Sequence, residues 1–376
     1  MSAGPEPTAQ IAAVPATTPF VAPEELARRA GHGELLRLGA NESAFGPPPH
    51  ALAAMRSALA HTSWYGDPES AELRAALARR HGCAAENIVV TSGIDDLLGL
   101  VARTFLAQGD LALATRGTYP TFGFHVAGYG GLLDGVPYAD DGRVPLDALA
   151  RRACEAAPKV VYVANPDNPS GSFAHATAIR ALLAALPERT LVVLDEAYAD
   201  FVPAGDLVAP AVLPGVVRAR TFSKAYGMAG ARIAYALAPA DIIATFQKIR
   251  HHYGVNRTAQ IGALAALEDD AFVASVVAEV ARGRRDYAEL GSRLGLATLP
   301  SHTNFVCFDI GSRERAEALV DELLRRAVFI RKPGVAPLDR FVRVTVGTPD
   351  ERRRFAAIFE QARAAIAAPA PAGRIG

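Results

Sequence analysis

The sequence predicts an α/β protein in which a large domain built on a mainly parallel sheet is followed by a smaller α+β domain. Three observations lead there. Between about residues 85 and 240, short apolar runs alternate with helical stretches. Those runs are apolar throughout rather than alternating with polar residues, as in strands covered by helices on both faces. After a long helical stretch at roughly 258–294, the pattern changes to a few strands and two helices.

Residues 1–18, "MSAGPEPTAQIAAVPATT", lack the basic start and apolar block of a signal peptide and are expected to form a flexible leader. Residues 19–46 hold one helix (23–30) and no sheet of their own, so they are expected to pack on the small domain. The large domain is expected to span 47–270. Its strands are "NIVVT" (87–91), "LALAT" (111–115), "VVYVAN" (160–165), "LVVLDE" (191–196), "VVRART" (216–221) and "RIAYAL" (232–237), with helices at 94–107, 146–156 and 174–186 among them. The small domain, 271–366, follows with "TNFVCFDI" (303–310), a helix at 313–326, "VFIRK" (328–332), "FVRVTVG" (341–347) and a last helix from 349. Residues 367–376 read as a frayed tail.

Formal net charge is zero, which gives no basic surface for nucleic acid. No apolar run reaches the roughly 20 residues that span a bilayer. The three cysteines are far apart and without metal-ligand spacing, and they read as reduced thiols of a cytoplasmic protein that holds no metal.

Ligands of open α/β sheets bind beyond the carboxyl ends of the strands. Asn168, Asp195 and the pair Ser223-Lys224 follow three of those ends. Burial depresses the pKa of a lysine there, so its free amine can form a Schiff base. An aspartate is the partner that keeps a pyridine nitrogen protonated, turning the ring into an electron sink. Asn168 and Tyr198 could bond the phenolic oxygen of such a ring. Ser223, Arg232 and the helix-opening turn "TSGIDD" (91–96) could hold a phosphate. Singly, each residue has a commoner reading: Asp195 as a helix cap, Lys224 as a solvated charge, Arg232 as a surface ion pair. Their joint order at strand ends points to pyridoxal 5′-phosphate.

With these motifs on view, the chain resembles the fold-type I aminotransferases of class I/II, in particular the histidinol-phosphate aminotransferase branch. "LGANESAFGPPP" (38–49), "WYGDPESAELRAALA" (64–78), "NPDNPSG" (165–171), "DEAYADF" (195–201), "TFSKAYGMAGARIAY" (221–235) and "FVRVTVGTPDERRRF" (341–355) carry the likeness, which covers about 19–363. The resemblance implies a seven-stranded type of sheet and a catalytic set of Lys224, Asp195 and Tyr198. Lys224 would hold the cofactor and carry the proton between substrate and cofactor carbons. Tyr119 would stack on the ring, and the backbone at Gly93, Ile94 and Asp95, with Ser223 and Arg232, would hold the phosphate. Tyr65 would reach that phosphate from a second subunit, implying a homodimer with shared active sites. Arg343 would take the substrate carboxylate and Arg331 a substrate phosphate, with Asn41 and Phe20 also at the substrate. An amino donor and a 2-oxoacid, 2-oxoglutarate by expectation, would be the partners.

Some positions depart from the family pattern. Phe20 and Phe45 stand where the family carries tyrosine, and a phenylalanine cannot donate a hydrogen bond to a phosphate. Lys332 adds a cation beside Arg331 that could replace the lost donor or serve another acid. A paralogue acting on aromatic or specialised amino acids, or a decarboxylase of threonine phosphate, therefore stays open.

Overall fold

The structure, a computed structural model, describes residues 4–15 and 21–367. Its strands are β1 (Leu36–Arg37), β2 (Ile88–Thr91), β3 (Leu111–Thr115), β4 (Leu132–Val136), β5 (Val160–Ala164), β6 (Leu191–Asp195), β7 (Val216–Thr221), β8 (Ala234–Leu237), β9 (Phe305–Asp309), β10 (Val328–Phe329) and β11 (Phe341–Thr345). Seven of them form one sheet in the order β2-β8-β7-β6-β5-β3-β4. Within that sheet β8 alone runs antiparallel to its neighbours; β3 to β7 pair in parallel.

Alternate residues of a strand face opposite sides of the sheet, and here both sides are covered. Tyr162 and Ala164 face a cluster built on the helices Ile94–Phe105 and Pro120–Gly128. Val161 and Val163 face a cluster built on the helices Leu146–Ala156 and Ala176–Ala185. Burying each such Val or Leu stabilises the fold by about 1.5–3 kcal/mol. This explains why most of the strands read as apolar runs; β7 departs from it, its Arg218 and Arg220 being paired with the buried Glu196.

The chain leaves β3 for β4 at the sheet edge and returns past β3 to β5. The strand order therefore reverses between β3 and β5, which opens a crevice at their carboxyl ends. A second layer forms where β9 pairs antiparallel with β11, and β1 pairs in parallel with β10. Backbone bonds from Leu36 and Leu38 to Ala327 and Phe329, and from Thr345 to Leu38, join the N-terminal segment to these late strands.

Each of the six expected strands of the large sheet appears, within two residues of its expected ends. The seventh strand that the resemblance implies is β4; the residues alone did not mark its place, because Asp134 and Gly135 interrupt its apolar run and Leu132 and Leu133 stay exposed at the edge. The helix expected at 258–294 is two helices, Arg257–Ala266 and Asp270–Arg293. The break falls where the Asp269 carboxylate accepts the Phe272 N–H and starts a new helix. The "VFIRK" segment keeps only two strand residues, followed by a single bridge from Arg331 to Arg343. One helical turn, Ala9–Ala12, forms within the expected leader. Among the described residues, no helix is long and apolar enough to cross a membrane.

Candidate active site

An open pocket of about 900 Å³ lies beyond the carboxyl ends of the parallel strands. Asp195, the last residue of β6, is buried in its floor. Its Oδ2 accepts the Tyr162 O–H at 2.6 Å and its Oδ1 the Ala197 N–H at 3.0 Å. Burial pushes its carboxyl up to about 6; the two donors pull against that, and the charges of Asp95 and Glu196 add to it. Tyr162 is fully buried and stacked on Phe122, so its hydroxyl is held in place. Within the sequence Tyr162 passes for one more apolar strand residue, and only the hydroxyl could have flagged it.

At the end of β7 the chain turns sharply. The Thr221 Oγ1 accepts the Ser223 N–H at 3.1 Å and donates to the Ser223 hydroxyl at 3.0 Å. The turn aims Lys224 into the pocket, where its Nζ donates to the Asn41 carbonyl at 3.1 Å. Burial first, then the cations Arg343 and Arg232, bring the lysine down to about 8. Tyr198 is buried beside it, with Lys224 Nζ 5.5 Å from its ring centroid, and burial raises its hydroxyl to about 12. Tyr119 follows β3 and donates to Asp95 Oδ1 at 2.7 Å.

Across the pocket, β2 runs through Gly93 into the helix Ile94–Phe105. Gly93 has φ 88°, and a Cβ there would sit 2.3 Å from Arg232 Nη2. The glycine thus brings the guanidinium against the helix N-terminus, where free N–H groups and the dipole already favour an anion. Arg232 Nη2 also lies 3.7 Å from Asp95 Oδ2. Gly227, at φ 64°, makes room for Gly46, whose carbonyl oxygen would be 2.0 Å from a Cβ.

Arg343 and Arg331 face each other across the bridge, with backbone bonds of 2.6 and 3.3 Å between them. The Arg343 guanidinium lies over Phe305 and donates to Asn168 Oδ1 and, at 3.1 Å, to the Gly39 carbonyl. Its Nε has no partner. Arg331 lies over Phe329 and donates to the Val21 carbonyl at 3.2 Å. Apolar residues wall this end, among them Val21, Pro23 and Val335. Lys332, expected as an added cation, is paired with Glu317 at 3.1 Å.

Asn41 is in the wall, but its side chain is engaged by Tyr198 and Thr345. Tyr65 is not at the pocket. It is 78% exposed and packs against Tyr253, with Trp64 and Leu59 also on the surface nearby in sequence. Phe20 lies outside the described residues. Phe45 is half-buried against the core.

The pocket thus joins an amine whose pKa is brought down to about 8, a buried carboxylate, an anion cradle and two arginines. This donor set fits pyridoxal 5′-phosphate: the carboxylate for the ring nitrogen, the cradle for the phosphate, the amine for the aldehyde carbon. Among the described residues, no cluster of His, Cys, Asp or Glu could hold a metal ion.

A profile of the "aminotransferase class I and II" family matches residues 33–359. A histidinol-phosphate aminotransferase of Thiobacillus denitrificans is 38% identical over 340 residues, 88% of this chain and 86% of that protein. One from Lactiplantibacillus plantarum is 35% identical, covering 89% of this chain and 93% of that protein. In structure, the histidinol-phosphate aminotransferase of Sinorhizobium meliloti in complex with pyridoxal-5′-phosphate superposes with a TM-score of 0.93. It shares 43% identity over 97% of this chain and 99% of that one. A Thermus thermophilus aspartate aminotransferase mutant shares the fold, with a TM-score of 0.81 at 24% identity over 96% of this chain and all of that one.

Proposed function

Since the chain belongs to the class I and II aminotransferases, we propose that it transfers the amino group of histidinol phosphate to 2-oxoglutarate, with pyridoxal 5′-phosphate as cofactor. The observation that carries this reading is the pair Arg331 and Arg343, set opposite each other beside the Lys224 amine. One arginine suits a phosphate and the other a carboxylate, which are the anionic handles of the two substrates.

The bound cofactor supplies a protonated ring that takes up the electron pair released when the substrate Cα–H bond breaks. Asp195 would hold the proton at the ring nitrogen, and its buried partner Tyr162 fixes the carboxylate. Tyr198 and Asn168 would donate to the ring oxygen, with Tyr119 beside the ring. Ser223, Arg232 and the N–H groups of Ile94 and Asp95 would hold the phosphate, with Gly93 giving them access. Lys224 would move the proton between the substrate Cα and the cofactor; with a pKa near 8, a useful fraction is free base around neutral pH. Arg343 orients the 2-oxoacid through two parallel bonds, and Arg331 takes the phosphate of the amino donor.

We assign residues 47–270 to the large domain and 271–366 to the small one, joined by the described part of the N-terminal segment, 21–46. The exposed Leu59, Trp64, Tyr65 and Tyr253 are the kind of apolar, largely aromatic surface that a second copy covers. In that homodimer Tyr65 reaches the partner's phosphate site. The enzyme works in the cytoplasm.

A second reading has one observation in its favour. Lys332 is tied to Glu317, and Val21, Pro23 and Val335 line the Arg331 end of the pocket, which suits an aromatic amino acid. Single-turnover absorbance decides between them. The loaded enzyme is mixed separately with histidinol phosphate, phenylalanine and tyrosine, and loss of the cofactor's visible band is followed. Fast conversion by histidinol phosphate supports the first reading; conversion by the aromatic amino acids alone overturns it.

A further inference from the structure

Asn41 touches more of the site than any substrate-binding role requires. Its backbone is in the left-handed region at φ 54°, which asparagine adopts more readily than most residues. In that conformation its N–H reaches Thr345 Oγ1 at 3.0 Å, and its carbonyl accepts both Lys224 Nζ and Asn304 Nδ2 at 3.1 Å. Its side-chain oxygen accepts the Thr345 hydroxyl at 3.2 Å, and its Nδ2 donates to the Tyr198 hydroxyl at 2.9 Å. Asn41 and Asn304 are both buried.

The direction of these bonds follows from proton counting. An amide keeps its donors and its acceptor on separate atoms, and a hydroxyl has one proton to give. Thr345 Oγ1 already accepts the Asn41 N–H, so its proton goes to the Asn41 amide oxygen. That turns the NH₂ group toward Tyr198. With an N–H arriving at its oxygen, Tyr198 must point its own proton elsewhere. The groups around it are Arg343 and Lys224, which are cations, and Asp195 and Asp167. Tyr162 already occupies one oxygen of Asp195, and Ser170 and Tyr138 occupy Asp167. The direction left for the Tyr198 proton is the open pocket.

We propose that Asn41 is a positioning residue: it makes Tyr198 a hydrogen-bond donor into the pocket and gives the Lys224 amine its resting place. The proposal rests on the reading above, that the pocket holds pyridoxal 5′-phosphate, whose ring oxygen is the acceptor Tyr198 then meets. Thr345 fixes the amide and lies two residues from Arg343 on β11, so the strand that grips a carboxylate also steadies this hydroxyl.

The test uses wild type, Asn41→Asp and Thr345→Val, each loaded with pyridoxal 5′-phosphate. Aspartate tolerates the left-handed backbone but presents only acceptors, so Tyr198 turns its proton onto the new carboxylate. A donor at the ring oxygen favours the anionic form of that oxygen. Losing it raises the pH midpoint of the cofactor's visible absorbance, by about one unit in Asn41→Asp. Thr345→Val raises it less. In Asn41→Asp, kcat falls about fivefold or more while KM for the amino donor holds. A midpoint equal to wild type in a folded, loaded Asn41→Asp overturns the proposal while leaving the cofactor reading intact. Should that variant fail to fold or load, an unmoved midpoint in Thr345→Val overturns it equally. A wild-type protein that takes up no pyridoxal 5′-phosphate overturns the cofactor reading and this proposal together.

Discussion

Replacing Arg343 by lysine should separate the two half-reactions. The substitution keeps the positive charge but removes the planar fork. The bond to Asn168, the 3.1 Å bond to the Gly39 carbonyl and the face laid on Phe305 all depend on that fork. A carboxylate that met two parallel N–H groups would meet one ammonium instead. A hydrogen bond to a charged group is worth about 1.5–3 kcal/mol. Loss of one bond and of the alignment should therefore cost about 2–3 kcal/mol, or about 30- to 150-fold in kcat/KM. That loss belongs to the half-reaction of glutamate and 2-oxoglutarate, which carry the α-carboxylate. Histidinol phosphate has an amine and a phosphate ester but no carboxylate, so its half-reaction should fall by less than about tenfold. Single-turnover absorbance with each substrate measures the two rates separately. Equal losses in both would refute the assignment and make Arg343 a residue that shapes the site without gripping substrate.

Three further outcomes are expected. In the cofactor-free protein, Lys224 should be modified by amine reagents with a midpoint near pH 8, and Arg343→Leu should raise that midpoint because it removes a cation that disfavours the ammonium; peptide mapping of the modified lysine reads it, and a lowered midpoint would contradict the electrostatics. Asp195 should act on stability in the opposite sense to a salt-bridged carboxylate. Its folded value, about 6, lies above the ordinary aspartate value of 3.8, so the stability it contributes at low pH is lost as pH rises through about 4 to 6. Without cofactor, Asp195→Asn should therefore gain on wild type by up to about 3 kcal/mol above pH 6 relative to pH 4, as urea unfolding at the two pH values would show. Gly93→Ala should weaken cofactor binding by about tenfold or more, because a Cβ 2.3 Å from Arg232 Nη2 at φ 88° both strains the turn and displaces the guanidinium; equilibrium dialysis would show it.

The parts of the site legible in the sequence are those whose position depends only on a strand end. Asp195 ends an apolar run that both sheet faces bury, and Lys224 follows a strand in the same alternation of strands and helices, so strand and residue could be read together. Where a role depends on a distant partner, the local pattern carries no trace of it. Asn41 reads as one more substrate residue until Thr345, 304 positions later, is seen to hold its amide. Lys332 reads as a free cation until Glu317 is seen beside it. The break at Asp269 was missed because Leu267 continues the apolar period and neither glycine nor proline interrupts 267–269. The place expected for Tyr65 lies on another subunit, so nothing within its own chain marks its role.

The facing arginines have a consequence for handling the enzyme. Arg331 and Arg343 pair across one bridge and line the same pocket, and burial first, then Arg343, lowers the pKa of Arg331, so an anion in the gap beside them would relieve like-charge repulsion. A folded protein with such a gap binds small dianions more tightly than its unfolded chain does, and is stabilised by them in proportion to their concentration. Sulfate or phosphate buffer should therefore raise the melting temperature and slow turnover at the same time. A preparation chosen for its robustness in phosphate would be one whose substrate sites were already occupied.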